Sequence, residues 1–286
     1  MVNKIKFYNN FKISEVHKHS ILLIGNFDGL HLGHQKLFKL ANNYKKRFNL
    51  KIGVVTFEPM PKMYFNKNIK NFRISNLNQK TRILKSLGID FVIIKKFDKK
   101  FSKIKSYNFI KDILYKNLKA KYIFVSNNFR FGNKREGNVN QLIKNEKKLK
   151  FKIIKTKPLV LKNKLISSTL IRNLLSTGKV EYANQLLARK WSIESKVQKG
   201  RQMGKKIGFP TCNMSIQDYV IPKLGVYAVR IHQKNNRKIL KGIANIGYRP
   251  TFNQKKILLE AYIFNFSGNL YNKYLTIEFI NFIRKE

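Results

Sequence analysis

Short apolar runs alternate with stretches of helical spacing through the first two thirds of the chain, and the alternation then stops. Ile21-Leu22-Leu23-Ile24 is apolar and ends at Gly25. Gln35 to Phe48 carries Leu37, Leu40, Tyr44 and Phe48 at helical spacing. Ile52 to Phe57 is strand-like, Thr81 to Leu87 helical, Phe91 to Ile94 apolar and β-branched, Tyr107 to Leu118 amphipathic, and Tyr122 to Val125 strand-like again. Short buried strands separated by helices predict an α/β fold with a parallel sheet covered on both faces. From Trp191 onward the helical patterns fade. Gly225 to Ile231, Ile239 to Ile246, Ile257 to Phe266 and Tyr274 to Ile283 read as strands with Gly, Pro and Asn between them, which predicts a compact antiparallel β-barrel. The helical run Ser168 to Ala188 bridges the two styles. We therefore expect two domains, 1–187 and 188–286, a division that 286 residues allow.

No stretch reaches the ~18 uninterrupted apolar residues of a membrane helix, and Met1 to Phe11 is too polar and basic for a secretion signal. The one cysteine, Cys212, excludes an internal disulfide and a cysteine-based zinc cluster and fits a reducing cytosol. A cytoplasmic protein with no membrane partner is expected. Sixty Lys+Arg against fourteen Asp+Glu give a formal charge of +46, which would attract phosphate backbones. The lysines are scattered, though, and mixed with Asn and Ile, as in Asn42 to Lys46 and Asn66 to Lys70. Lys, Asn and Ile share A/T-rich codons, so compositional drift accounts for the pattern. Nonspecific attraction for anions is expected, with no specific nucleic-acid partner. Against this background the acids Asp28, Glu58, Glu136 and Glu260 stand out, each beside turn residues or inside an apolar run.

Gly25-Asn26-Phe27-Asp28-Gly29-Leu30-His31-Leu32-Gly33-His34 follows the first strand and opens a helix. Glycines at 25, 29 and 33 let backbone approach a phosphate, and a helix N-terminus offers free N–H groups to an anion. His31 and His34 are spaced to face one ligand and donate to charge developing on phosphorus; a metal-binding pair is the competing reading. His17, His19 and His232 are read as structural. Further on, Ser/Thr residues precede the helical run at Ser168, where they can cap it and bind anions, and Arg172 can reach a leaving pyrophosphate.

The Gly25 to His34 run resembles the HxGH signature of the nucleotidyltransferase superfamily, and with Asn26-Phe27-Asp28-Gly29 ahead of it, the bacterial FAD synthetase branch. Thr56-Phe57-Glu58-Pro59-Met60-Pro61, Phe129-Arg130-Phe131-Gly132 with Gly137, and Ile166-Ser167-Ser168-Thr169-Leu170-Ile171-Arg172 fit the same branch. The resemblance implies a Rossmann-like nucleotidyltransferase domain that adenylylates FMN with ATP. It assigns Gly25, Phe27, Asp28, Gly29, Gly33, Ser168 and Thr169 to ATP, Glu58, Asn128, Phe129, Arg130 and Phe131 to the flavin, and His31, His34 and Arg172 to catalysis. Ser126, Asn127, Leu165, Ala188 and Ser195 depart from the family's usual residues, the last two standing where glycines are expected.

Gly200-Arg201-Gln202-Met203-Gly204-Lys205-Lys206-Ile207-Gly208-Phe209-Pro210-Thr211-Cys212-Asn213 has glycines and basic residues suited to ATP phosphates. Thr211 and Asn213 offer hard oxygen ligands of the kind magnesium prefers. Taken alone, the run reads more readily as a basic hairpin loop. With Gly225-Val226-Tyr227-Ala228 and Gly242-Ile243-Ala244-Asn245-Ile246-Gly247-Tyr248-Arg249-Pro250-Thr251-Phe252 it resembles riboflavin kinase. That resemblance implies ATP and Mg2+ held by Gly200, Gly204, Lys206, Gly208, Thr211 and Asn213, a flavin contact at Arg249, and Glu260 as base toward a ribityl hydroxyl. It also implies a C-terminal helix over the barrel, and the sequence reaches Glu286 without one, so a shortened kinase domain is expected. Together the motifs span about residues 20–286 in the order of the bifunctional enzyme that makes FMN from riboflavin and FAD from FMN. One alternative is that only one activity survives. Another is a basic nucleic-acid-binding protein on a decayed scaffold; it predicts loss of His31, His34, Thr211, Asn213 or Glu260, and all five are present.

Overall fold

The structure, a computed structural model, describes residues 5–199, 210–233, 236, 238–249 and 256–286. The chain forms two compact units. One runs to Ile69 and resumes from Asn78 to Ile166; the other comprises Lys70–Leu77 and Ser167–Glu286.

In the first unit, strands β1 (Lys6–Tyr8), β2 (Ile21–Ile24), β3 (Ile52–Glu58), β4 (Phe91–Lys96) and β5 (Tyr122–Ser126) are followed by a short antiparallel pair, β6 (Arg130–Phe131) with β7 (Gly137–Asn138), and then by β8 (Lys152–Thr156). A second short pair joins β9 (Val160–Leu161) and β10 (Lys164–Leu165). The main sheet has the order β1-β4-β3-β2-β5-β8, all parallel. After β2 the chain winds one way through β3 and β4 and later the other way through β5 and β8, so the topology reverses between β2 and β5. All four residues of β2 are buried, and alternate side chains enter opposite cores. Ile21 and Leu23 join Phe38, Ala41 and Val54 on one face, while Leu22 and Ile24 join Val55, Ile110 and Val125 on the other. This is the doubly covered parallel sheet expected from the apolar runs. The edge strands β1 and β8 went unread because they are short and rich in Lys.

The expected Tyr107–Leu118 helix is wound as a π-helix over Phe109–Asn117, with Phe109, Ile110, Ile113 and Leu114 buried. The Leu118 amide closes it by donating to the Ile113 carbonyl at 3.0 Å.

In the second unit, β11 (Ser192–Gln198), β12 (Thr211–Ser215), β13 (Gly225–Gln233), β14 (Ile239–Arg249), β15 (Lys256–Ile263) and β16 (Tyr274–Arg284) close a barrel in the order β11-β12-β15-β14-β13-β16. Closure leaves no open sheet edge. The bridging run is two helices, Ser168–Ser176 and Val180–Leu187, rather than one. Gly178 at φ +79° breaks it, and the Thr177 hydroxyl donates to the Asn173 carbonyl at 2.8 Å. Both helices group with the barrel, so division by compactness falls at 166/167 whereas the sequence division falls at 187/188. Asn184 ties the second helix down: its amide donates to the Phe279 carbonyl at 2.9 Å, and its Oδ1 accepts the Trp191 amide at 2.6 Å. Trp191 is 2% exposed, packs on Phe279 with centroids 4.8 Å apart, and donates from Nε1 to the Ile74 carbonyl at 2.9 Å.

Ala188 ends the second helix at φ +54°, ψ +28°. A left-handed residue after a helix is usually glycine, because a Cβ there crowds the following carbonyl. The expected glycine thus has a conformational reason, and the alanine is held there at a cost of about 1 kcal/mol. Ala188→Gly should raise barrel stability by about 0.5–1 kcal/mol in denaturant titrations followed by Trp191 fluorescence.

Candidate functional site

The first group of site residues lies at the topological reversal of the parallel sheet, where open α/β sheets bind ligands beyond their strand carboxyl ends. Since β2, β3 and β5 are parallel, the loops leaving them open along one edge. The loop after β2 is forced into a tight path. Phe27 (φ +47°), Leu30 (φ +43°) and Gly29 (φ +76°) are all left-handed. Two such non-glycine residues in one loop mark backbone strain of the kind that collects at functional sites. Thr56, at 1% exposure, holds the loop by donating to the Asn26 carbonyl at 3.3 Å. Gln35 Nε2 donates to the Leu30 carbonyl at 3.0 Å.

The loop ends at His31, which precedes the Leu32–Phe48 helix and accepts its first bond from the Gln35 amide at 3.0 Å. His31 and His34 stack with centroids 3.7 Å apart and planes at 24°. Phe27 meets His34 edge-on at 5.3 Å. Glycine at 33 suits this stack, since a Cβ there would lie 3.1 Å from His31 Nδ1, a tight contact that the ring would have to relieve by a small shift. Beside Gly25, likewise, a Cβ would come 3.2 Å from the Phe27 ring. Both glycines make room for the site's own rings. His34 Nδ1 is sealed from solvent with no hydrogen-bond partner among the described residues. Desolvation, with His31 and then Lys80 adding like charge, holds the His34 pKa well below the ordinary histidine range. Asp28 is buried in the same loop at 3% exposure.

Lys80 was missed in the sequence. It lies on the buried face of the Leu77–Ser86 helix at 1% exposure, and its charge acts on His34. Among sixty basic residues it does not stand out; its only signal is the turn of that helix on which it falls.

The loop after β5 is ordered by a departure from the family pattern. The Ser126 hydroxyl donates to Asn128 Oδ1 at 2.9 Å and so orients the amide, and the Phe129 amide donates to the Ser126 carbonyl at 3.0 Å. Phe131 is core, 7% exposed and packed on Phe109 at 5.3 Å. Phe129 stacks on it at 5.5 Å, half-buried, and Arg130 between them is exposed. Glu136 has a structural job, accepting the Ser106 amide at 2.6 Å. Glu58 ends β3 beside Lys96, its carbonyl accepting the Phe97 amide at 2.9 Å.

In the second unit, Ser167 caps the Ser168–Ser176 helix, its hydroxyl accepting the Leu170 amide at 3.2 Å. Ser168 is half-buried and Thr169 exposed in its first turn. Arg172 is anchored by Phe72: Nε donates to the Phe72 carbonyl at 2.8 Å, and the guanidinium carbon lies 3.6 Å from the ring centroid.

The barrel brings a second group together. Asn213 on β12 pairs with Glu260 on β15, which pairs with Asn245 on β14. Residues directly opposite in an antiparallel sheet share a face. Leu259, Ala261, Ala244 and Ile246 fill the interior, so the Asn213-Glu260-Asn245 row lies on the outer face, with Thr211 two residues from Asn213. Asn213 is 9% exposed and Glu260 half-buried. Glu260 is therefore no free surface acid. Burial pushes the thiol of the intervening Cys212 up to about 11. Gly200, Gly204, Lys206 and Gly208 lie outside the described residues, as does the Arg249 side chain; the Arg249 backbone ends β14 opposite Lys256. Thr211 and Asn213 supply neutral oxygens, and no group of three or more His, Cys, Asp or Glu side chains among the described residues could hold a metal ion. That donor set fits a magnesium ion that arrives with nucleotide phosphates better than a resident metal.

Comparison with known proteins matches a separate family model to each part of the chain. A family model described as FAD synthetase matches residues 13–170, and one described as riboflavin kinase matches residues 187–286. The bifunctional riboflavin kinase/FMN adenylyltransferase of Buchnera aphidicola from Acyrthosiphon pisum is 40% identical over 96% of this chain and 88% of its own length. That of Escherichia coli is 35% identical over 93% of this chain and 85% of its own. A crystal structure described as a macrolide-efflux protein from Streptococcus pneumoniae superposes with a TM-score of 0.86 at 27% identity, over 98% of this chain and 91% of that one. Among the described residues, no helix is long and apolar enough to cross a membrane. With both family models in sequence along one chain and relatives of this identity over most of its length, the chain belongs to the bifunctional riboflavin kinase/FMN adenylyltransferase family.

Proposed function

We propose that the barrel transfers the γ-phosphoryl group of ATP to riboflavin, and that the parallel-sheet unit transfers the adenylyl group of a second ATP to the FMN so formed, in the cytoplasm. The observation that carries this reading is that each unit gathers its own chemical group: the stacked His31–His34 pair at the sheet reversal, and the Asn213–Glu260 pair on the barrel.

For adenylylation, the FMN phosphate oxygen attacks the α-phosphorus of ATP and pyrophosphate leaves. No covalent enzyme intermediate is needed, so positioning and charge stabilisation carry the rate. His34, neutral at physiological pH, offers an N–H donor without an imidazolium's desolvation cost. His31 stacks on it, Lys80 adds positive charge from the buried side, and the helix N-terminus adds partial positive charge. Gly25, Phe27, Asp28, Gly29 and Gly33 would form the ATP side, and Glu58, Asn128, Phe129, Arg130 and Phe131 would shape the flavin side; the motif that Ser168, Thr169 and Arg172 form supports a phosphate-binding role for them. For phosphorylation, Glu260 takes the proton of the ribityl hydroxyl as its oxygen attacks the γ-phosphorus and ADP leaves. Thr211 and Asn213 would hold Mg2+, which neutralises phosphate charge when bound. Riboflavin, FMN and ATP are the small-molecule partners.

His31→Ala combined with His34→Ala should abolish FAD formation while FMN still accumulates from riboflavin and Mg-ATP, read by chromatography. Equal loss of both products in a folded double variant would argue against separate sites. Glu260→Gln should do the reverse, lowering FMN formation by about 10²–10⁴-fold and leaving FAD synthesis from supplied FMN intact. Protonation gives a third test. The His34 pKa is depressed in the folded chain, so the unfolded chain binds the proton more readily. Stability from this residue is complete above about pH 6.5 and is lost as pH falls below it toward the folded pKa. Half-buried His17, whose pKa burial also lowers, shares this acid limb. Thermal melts of His34→Asn should therefore fall off less steeply below pH 6.5 than those of wild type; an unchanged slope would show that His34 protonates normally.

A further inference from the structure

The segment Lys70–Leu77 is far from the barrel strands in sequence, yet it belongs to the barrel unit in space. Hydrogen bonds fix its centre. The Phe72 and Arg73 amides both donate to the Asp218 carbonyl at 2.8 Å, and the Val220 amide donates to the Arg73 carbonyl at 2.8 Å. Asn71 Nδ2 donates to the Gln217 and Tyr219 carbonyls at 2.6 and 3.1 Å. Arg73 Nε donates to Asp218 Oδ2 at 3.2 Å, and Trp191 Nε1 donates to the Ile74 carbonyl at 2.9 Å. A segment tied from Asn71 through Ile74 has little freedom, so Phe72 is a rigid platform. Arg172 sits on it. The guanidinium carbon lies 3.6 Å from the Phe72 ring centroid, and Nε donates to the Phe72 carbonyl at 2.8 Å. The ring sets the tilt of the guanidinium plane, and the carbonyl sets its rotation within that plane. Both residues are half-buried, where such a cation–ring contact is stronger than in open water.

We infer that Phe72 is a positioning residue for phosphate binding by Arg172, its ring and carbonyl holding the guanidinium in the orientation that grips a pyrophosphate group. The inference rests on the reading of Ser168, Thr169 and Arg172 as a phosphate motif. Arg172 lies one turn beyond Ser168 in the same helix and so shares its face. A guanidinium binds phosphate best at two points, through two parallel N–H groups. With Nε turned to the Phe72 carbonyl, the two-point grip falls to the Nη1–Nη2 edge, whose direction the platform has already set. An arginine side chain otherwise samples many rotamers, and ordering it opposes binding. Here Phe72 has done that ordering before the anion arrives. A ring that only packed would matter to stability and leave phosphate affinity alone.

The test is a double-mutant cycle on the full chain, with inorganic pyrophosphate and magnesium as the titrant in calorimetry at physiological salt. Phe72→Leu removes the ring but keeps apolar bulk and the backbone carbonyl. It should weaken pyrophosphate binding about fivefold. Phe72→Tyr, which keeps a ring, should bind within about twofold of wild type. Phe72→Met replaces the leucine variant if thermal melts show that leucine is not accommodated. In the Arg172→Ala background, Phe72→Leu should cost nothing further. Inhibition of FAD synthesis by added pyrophosphate should rank the variants in the same order. Equal losses from Phe72→Leu with and without Arg172, a tyrosine variant as weak as leucine, or a different ranking in the inhibition assay overturns the positioning role. So does wild-type affinity in Phe72→Leu beside weak binding in Arg172→Ala. Undiminished affinity in Arg172→Ala overturns the phosphate reading itself, and the inference with it.

Discussion

The central strand β2 carries hydrogen bonds to parallel neighbours on both edges, β3 on one side and β5 on the other. From that constraint most of the nucleotidyltransferase unit follows. A strand paired on both sides and covered on both faces must be wholly apolar, which Ile21 to Ile24 are. The loop after it lies where its neighbours' connections diverge, so it opens into a crevice rather than onto a packed face. It must also turn at once into the Leu32–Phe48 helix, which is why Phe27 and Leu30 accept positive φ. The strained turn stacks His31 on His34, and their shared burial keeps the second ring neutral. Geometry and protonation state thus descend from one pairing pattern.

Much of this was legible in the residues. Buried strands declare themselves by composition, so β2 to β5 and the four long barrel strands were found within a few residues of their ends. What was hidden depended on context. The lysine-bearing edge strands β1 and β8 are defined by hydrogen bonding to a neighbour, which leaves no apolar run. Strands β11 and β12 alternate too many polar residues to stand out. The break at Gly178 was readable in principle, but the amphipathic pattern continues across it. Site residues in loops carried strong motifs, whereas Lys80 matters through the ring it acts on from a neighbouring helix. Arg172 was found, yet its anchor Phe72 lies 100 residues away in sequence, a relation that no local pattern encodes.

The scarce acids share a physical theme. Asp90 accepts the Ile52 amide at 2.8 Å and ion-pairs with Lys45 at 2.6 Å. Asp98 caps a helix through the Phe101 amide, a bond that lowers its pKa. Glu136 and Glu146 accept the Ser106 and Ile153 amides at 2.6 and 2.7 Å. A carboxylate that satisfies a backbone N–H cannot be exchanged for lysine without orphaning the donor. A surface acid can be exchanged almost freely. The charge of +46 is therefore compatible with an ordinary fold, because the remaining acids include those that hold the backbone in place.

Trp191 is the chain's one tryptophan, and it lies in the barrel unit against Phe279 with its indole N–H on the Ile74 carbonyl. An indole buried this deeply emits toward the blue, and flavins absorb in that part of the spectrum. The chain therefore carries a built-in optical donor for its own substrate and products. Quenching of that emission by energy transfer gives a label-free record of flavin arrival and departure during turnover, within a protein that needs no dye attached to its single, half-buried cysteine.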